Sequence, residues 1–253
     1  MIKGLLQGMG FAFGGFSLVL QKGIRPFVVV PLLVNIVTFS VGIWVAFTQF
    51  EIWMQKMLES LLPSWLPDFI QTGVEWLLWP LFTILILIAV FYSFTMVANL
   101  LASPFNSLLA ERVEQKLNGQ PVPEFRGYKA LAGNVGKSLM SEGGKMLYIL
   151  KWLPVLLIIS IIPVVNLIAP IAWAFYGAWM LSLQYTDYAM GNHELFVKQE
   201  LELLRKNRAI ALGFGGMLTL LMMIPVVNFF VMPVGVAGGT SFWVKRLSQD
   251  NAT

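Results

Sequence analysis

Two short polar runs in this 253-residue chain carry residue types that could bind an anion. The first is Lys22-Gly23-Ile24-Arg25-Pro26, where a flexible glycine, unpaired backbone N–H groups and a guanidinium meet at the expected start of a helix. The positive end of a helix dipole and its N–H groups attract oxyanions, and arginine adds a planar set of donors. No acidic residue precedes Glu51. The run therefore favours a fully ionised dianion such as sulfate over phosphate, which keeps a proton near neutral pH. The alternative is that Lys22 and Arg25 only anchor the cytoplasmic end of a membrane span.

The second run follows Ser103-Pro104-Phe105-Asn106, which we expect to interrupt a helix because proline removes a backbone donor. Asn106 could satisfy the backbone groups that Pro104 leaves unpaired. After the interruption, Glu111 and Gln115 are four residues apart and share a helix face, and Arg112 flanks that face. This pattern predicts a polar pore entrance that selects by charge, formed by Asn106, Glu111, Arg112 and Gln115. The alternative is an ordinary helix exit from the membrane.

The sequence lacks the residues that metal binding or enzymatic catalysis would need. The chain has no cysteine and one histidine, so neither a thiolate site nor a histidine-cluster metal site is expected. A phosphate loop and the G-x-S-x-G and H-E-x-x-H signatures are missing, and the apolar stretches offer no catalytic pair of charged groups. The sequence therefore predicts that the protein is not an enzyme and needs no metal or cofactor. His193 is expected to be a surface loop residue.

The composition of the chain is that of an integral membrane protein. Charged residues make up 12% of the chain and hydrophobic residues 57%, and the mean hydropathy is +0.74. A soluble domain carries about 25% charge, so both a water-soluble globule and a disordered chain are excluded. The 17 basic residues are spread over several loops rather than along one face, which argues against nucleic acid as a partner.

Four stretches of at least 25 residues contain no charge: Pro26–Phe50, Trp76–Ala110, Trp152–Thr186 and Ala209–Val244. A helix needs about 20 apolar residues to cross the hydrocarbon core, and alternation typical of a membrane barrel is missing. The fold class predicted is therefore an all-α integral membrane protein.

The last two stretches repeat one unit. Each contains the residues I-P-V-V-N, at 162–166 and 224–228, and this predicts two helical hairpins with turns at Pro163, Asn166, Pro225 and Asn228. The arms could cross the membrane fully or enter it only partway. We favour partial insertion, because the arm from Trp152 to Ile162 reaches only about 16 Å, or about 26 Å if it starts at Met146, and the turns carry no charge.

The whole chain, residues 1–253, is predicted to form a single membrane domain. Basic residues before the first span, an acidic loop after it and a basic region after the second place the N-terminus in the cytoplasm. In chain order we predict an amphipathic N-terminal helix near the membrane surface with the anion-site turn (1–25), a first long span (26–50), a second long span (76–110), a cytoplasmic helical region (111–151), a first hairpin (152–186), an amphipathic surface helix (187–208) and a second hairpin (209–244).

Several runs together resemble the CysZ family of bacterial sulfate permeases. They are G-I-R-P-F-V-V-V-P-L-L-V-N at 23–35, A-S-P-F-N-S-L-L-A-E at 102–111, W-M-L-S-L-Q-Y-T-D-Y at 179–188 and M-I-P-V-V-N-F-F-V-M-P-V at 223–234. The resemblance implies sulfate uptake across the inner membrane for cysteine biosynthesis, by proton-dependent or channel-like transport, with sulfite as a competitor. It also implies two long spans with two partly inserted hairpins, in a homo-oligomer embedded in lipid.

The resemblance also implies site residues. The family's G-L-R-type anion motif falls on Gly23, Ile24 and Arg25, with Ile24 in place of leucine and Pro26 where relatives often have a second arginine. The family's pore entrance falls on Glu111, Arg112 and Gln115. A different class of function, a membrane scaffold or assembly factor without transport, would use the segment 187–208 for docking.

Overall fold

The computed structural model describes residues 1–61, 67–119 and 128–251, and every element in these ranges is helical. In chain order the elements are α1 (Ile2–Val19), α2 (Pro26–Leu61), α3 (Asp68–Leu117), α4 (Tyr128–Ile161), a 3-10 turn (Val165–Ile168), α5 (Ala169–Asn192), α6 (Val197–Lys206), α7 (Arg208–Met222), α8 (Pro225–Phe242), a π-helical turn (Trp243–Leu247) and α9 (Ser248–Asn251). The prediction of an all-α membrane protein is confirmed. The chain divides into two compact units, residues 30–102 and residues 1–29 with 103–253. That the whole chain forms a single membrane domain stays a prediction.

Six helical segments among the described residues are long and apolar enough to cross a membrane. They are Ile2–Val19, Pro26–Phe50, Thr72–Tyr92, Gly143–Ile161, Val165–Asn192 and Pro225–Asn251. The helix α7 is apolar but has only 15 residues, about 22 Å of length. The depth of the hairpin arms in a bilayer stays a prediction.

The first hairpin is longer than its charge-free stretch. α4 runs unbroken to Ile161, and its apolar part from Gly143 has 19 residues, about 28 Å, which exceeds the length of about 16 Å expected for the arm from Trp152. Two lysines lie within this part of the helix without ending it. Lys145 is buried and paired with Asp187, which removes the cost of an isolated buried charge.

Two other features of the helices differ from the sequence prediction. α3 continues to Leu117, so the run 103–106 does not interrupt the helix; a proline can remain inside a helix as a local irregularity. α5 extends to Asn192, so the amphipathic helix α6 begins later than residue 187. Residues 62–66 of the predicted acidic loop and 120–127 of the predicted cytoplasmic region lie outside the described residues.

The N-terminal helix belongs to the bundle of its unit. α1 packs along α7 and α8, and α5 packs on the other side of the same two helices. The predicted place of α1 near the membrane surface stays a prediction. Phe11 stacks on Phe242 with ring centroids 5.3 Å apart, and Phe214 lies 6.1 Å from Phe242.

Glycine makes the close approach of α1 possible. A Cβ atom on Gly8 would lie 2.5 Å from the Phe214 nitrogen and closer still to the Ile210 carbonyl oxygen. Real contacts of this kind are about 3.5 Å. A larger residue at this position would therefore push α1 away from α7.

The second unit contains α2 from Val30 onward and most of α3. Phe50 and Trp79 meet edge to face, with ring centroids 5.4 Å apart. Large apolar side chains along both helices are exposed, among them Trp44, Phe47, Trp76 and Leu77. Continuous exposed apolar surface of this kind is expected of helices surrounded by lipid.

Candidate anion site at the end of α3

The turn Gly23–Arg25 connects α1 and α2. Gly23 has a φ of 89°, a conformation that glycine adopts at little cost, and Ile24 is buried beside it. Arg25 is exposed, and its Nε donates to the Leu20 carbonyl oxygen. The turn is therefore held by one buried side chain and by one hydrogen bond from the arginine.

The backbone donors of this turn differ from the sequence prediction. The N–H groups of Ile24 and Arg25 both donate to the Gln21 carbonyl oxygen, over 3.2 and 3.3 Å. They are therefore not available as the unpaired donors that an oxyanion would need. The groups still open to an anion include the outer edge of the Arg25 guanidinium and the exposed Lys22 next to it.

The predicted pore-entrance residues form a short hydrogen-bonded chain on α3. Gln115 Nε2 donates to Glu111 Oε1 over 3.0 Å, and Arg112 Nη1 donates to Gln115 Oε1 over 3.4 Å. The three side chains therefore meet around one helical turn, and Glu111 accepts a hydrogen bond from Gln115. Their role as a pore entrance stays a prediction.

Arg112 is buried rather than open to solvent. Arg112 is only 3% exposed, and its guanidinium carbon lies 5.3 Å from the centre of the Phe27 ring at the start of α2. A cation over an aromatic face is attracted by the ring electrons. Because Phe27 follows Arg25 by two residues, this contact brings the two predicted runs into one neighbourhood. No feature of the sequence indicated that pairing.

Asn106 lies one and a half turns before Arg112 on the same helix. It is 5% exposed, and its Nδ2 has no hydrogen-bond partner among the described residues. A buried amide donor without a partner is costly. A ligand or a water molecule that reaches Asn106 would accept a hydrogen bond from this amide and so offset the cost.

Sequence reasoning missed a second polar cluster at this end of α3. His193 Nε2 lies 2.9 Å from Glu114 Oε1, and the His193 ring centroid is 5.0 Å from that of Trp243. The side chain of His193 is 45% exposed, as expected for a surface residue, but it is held by an acid on another helix. The signal available in the sequence was weak, because the two partners are 79 residues apart.

A buried ion pair joins the two arms of the first hairpin. Lys145 Nζ lies 2.9 Å from Asp187 Oδ2, with both side chains almost fully buried. The ammonium group also lies 5.9 Å from the centre of the Tyr188 ring. Ionisable groups in apolar segments are rare and usually have a specific role.

The two I-P-V-V-N turns have one hydrogen bond in common. The N–H of Asn166 donates to the Ile162 carbonyl oxygen, and that of Asn228 donates to Ile224, each over 2.9 Å. Beyond this bond the turns differ. Pro225 begins α8, whereas Pro163 lies in a turn that precedes the 3-10 segment. Most apolar side chains at both tips are exposed, including Val164, Leu167, Val226 and Phe229.

Comparison with known proteins places these features in one family. A model of the family described as "Sulfate transporter CysZ/Etoposide-induced protein 2.4" matches residues 11–233. The protein named "Sulfate transporter CysZ" of Pseudomonas fluorescens (strain Pf0-1) is 40% identical over 248 residues, which cover 98% of this chain and 96% of that protein. The proteins of the same name from Vibrio cholerae (strain O395) and Pectobacterium atrosepticum are 39% and 37% identical, over 97% and 98% of this chain and 96% and 88% of theirs.

Proposed function

The chain belongs to the sulfate transporter CysZ/Etoposide-induced protein 2.4 family, and on this basis we propose that it carries sulfate across a bacterial inner membrane to supply cysteine biosynthesis. The observation that carries the proposal is the near full-length match to relatives named as sulfate transporters. The six apolar helical segments support a multi-pass membrane location. The N-terminus is proposed to face the cytoplasm.

Sulfate is proposed to bind first at the turn formed by Gly23, Ile24 and Arg25. Because the N–H groups of Ile24 and Arg25 donate to Gln21, the guanidinium of Arg25 supplies most of the attraction. Buried Ile24 fixes the turn, and the positive φ of Gly23 lets the chain reverse there. The exposed ammonium group of Lys22 adds positive charge nearby.

The path is then proposed to follow the polar end of α3. The amide of Asn106 offers a donor that has no partner among the described residues, and Arg112 adds a buried positive charge. Gln115 donates to Glu111 and so reduces the repulsion that this acid would exert on a dianion. Selection by charge at this site excludes cations. Sulfite, which resembles sulfate, is expected to compete with sulfate for the site.

The exposed apolar tips of both hairpins require a cover of lipid or of neighbouring subunits. We propose that several copies of the chain assemble and that their hairpins enclose the path. Transport is driven either by a proton gradient or by the sulfate gradient alone, and the experiment below separates the two.

Radiolabelled sulfate entry into liposomes that contain the pure protein tests the proposal. We expect entry above that of empty liposomes; a dependence on an acid outside would indicate proton coupling, and equal entry without a gradient would indicate a channel. Arg25→Ala should reduce entry at low sulfate, while Arg205→Ala, which removes an exposed arginine on α6, serves as the matched control. Entry equal to that of empty liposomes under both conditions would refute sulfate transport.

The same assay separates transport from the scaffold alternative, which predicts no entry at all. The structure lends that alternative little support. Leu201 and Leu204, the apolar residues of the proposed docking helix, are buried within their own unit, and Asp187 is paired with Lys145.

A further inference from the structure

Two consecutive side chains at the end of α5 contact the polar end of α3. Asn192 Nδ2 donates to the Ser107 carbonyl oxygen over 2.9 Å, and His193 Nε2 lies 2.9 Å and 3.0 Å from the two carboxylate oxygens of Glu114. We propose that Asn192 and His193 are positioning residues, a clamp that fixes the α3 segment with the pore-entrance side chains. Its effect on sulfate affinity rests on the function proposed above.

The clamp holds both ends of the pore-entrance segment. Ser107 and Glu114 are seven residues apart, which is two helical turns or about 10 Å along one face of α3. Glu111 falls between them on that face, and Gln115 and Arg112 follow around the helix. Two contacts this far apart oppose both tilting and rotation of the segment, whereas one contact would oppose neither.

The end of α5 is itself a rigid support. The N–H of Glu194 donates to the Gly191 carbonyl oxygen over 3.0 Å, and that of Leu195 donates to Met190 over 3.2 Å. Glu194 has a φ of 62°. These two bonds and a left-handed residue form the Schellman motif that commonly ends helices. The motif fixes the backbone that carries the two clamp residues.

A third element completes the contact with Glu114. Trp243 Nε1, in the π-helical turn after α8, lies 3.4 Å from Glu114 Oε1, and the Trp243 ring packs against His193. The Glu114 side chain is only 17% exposed. Hydrogen bonds to a charged and partly buried acceptor are stronger than those between neutral groups. The clamp therefore connects the first hairpin and the C-terminal turn to α3.

Variants of the two clamp residues test the proposal. Asn192→Asp is nearly isosteric and replaces the donor by an acceptor facing the Ser107 carbonyl. His193→Ala removes the ring, and His193→Gln restores an amide donor near the former Nε2 position. Asn118→Asp adds a similar negative charge just after α3 at an exposed site and is the matched control.

Two measurements are made on each folded, purified variant. The chain has no cysteine, so a nitroxide on Lys116→Cys, an exposed site on α3, reports the mobility of that helix end without transport. The second measurement is the sulfate concentration that gives half-maximal entry into liposomes. A merely structural role would lower the yield of folded protein and leave both quantities unchanged.

We expect Asn192→Asp and His193→Ala to increase nitroxide mobility and to raise the half-saturating sulfate concentration about fivefold, the effect of one net hydrogen bond. His193→Gln should recover part of both, and Asn118→Asp should match the parent. Unchanged mobility in both clamp variants overturns the clamp, and increased mobility with an unchanged half-saturating concentration overturns its link to affinity. If the parent shows no sulfate entry, the proposed function fails, and the mobility measurement alone decides the clamp.

Discussion

The packing of α1 against α7 can be tested by adding one methyl group at each of two glycines on the same helix. Gly8 is buried against α7, and a Cβ there would lie 2.5 Å from the Phe214 nitrogen and 3.0 Å from the Gly213 carbonyl carbon. Gly10, two residues later, is exposed and has no atom within 4 Å of the corresponding position. The variants Gly8→Ala and Gly10→Ala therefore make the same chemical change in two different environments.

The two substitutions should change stability in opposite directions. Alanine is favoured over glycine within a helix by up to about 1 kcal/mol, and at Gly10 this gain is the main effect. At Gly8 the methyl group forces backbones apart by roughly 1 Å, because ordinary contacts are about 3.5 Å. Overpacking of this kind costs about 1–3 kcal/mol or more. The free energies of unfolding of the two variants should thus differ by about 2–4 kcal/mol.

Thermal unfolding in detergent, followed by circular dichroism, measures this difference. For a chain of this size we expect the midpoint of Gly8→Ala to fall about 5–12 °C below that of Gly10→Ala. Comparing the variants with each other, rather than only with the parent, removes effects of the detergent. If Gly8→Ala melts at the same temperature as Gly10→Ala or above it, α1 does not pack against α7 through Gly8.

Two further predictions concern the first hairpin, and both are read from thermal midpoints. Lys145→Met should destabilise the protein by about 3–5 kcal/mol, because it removes the ion-pair partner of the buried Asp187. Adding Asp187→Leu should recover most of this loss. If the losses of the two single variants instead add up in the double variant, the pair is not coupled. Val164→Gly should stabilise the protein by about 1 kcal/mol, because Val164 has a φ of 70°, which is unfavourable for a β-branched residue. The control Val165→Gly, in the adjacent 3-10 turn, should not stabilise it. Equal effects of the two substitutions would contradict backbone strain at Val164.

Contacts between residues close in sequence could be predicted without the structure. Residues four apart on a helix face the same side, so the hydrogen bond between Gln115 and Glu111 followed from the spacing. The repeated I-P-V-V-N residues likewise indicated where each hairpin turns. Both predictions need only the local geometry of a helix and the missing N–H of proline.

Helix ends were harder to place, because charge is an ambiguous signal. The charge-free stretch of the first hairpin begins only after Lys151, yet α4 passes through this residue and through Lys145 as well. A lysine tolerates burial when an acid neutralises it, and that acid, Asp187, is 42 residues away. Absence of charge therefore gives only the shortest length of this helix, because α4 continues through an exposed lysine, Lys151, and a paired one, Lys145.

The sequence by itself determined that this is a helical membrane protein, because hydropathy and the absence of charge act residue by residue. It also located the two polar runs at 22–26 and 103–115. Only the tertiary structure decided which helix faces meet: Arg112 under Phe27, His193 against Glu114, and α1 within the bundle. Helical periodicity fixes neighbours within a turn or two, but packing of whole helices decides which residues far apart in the chain share a site.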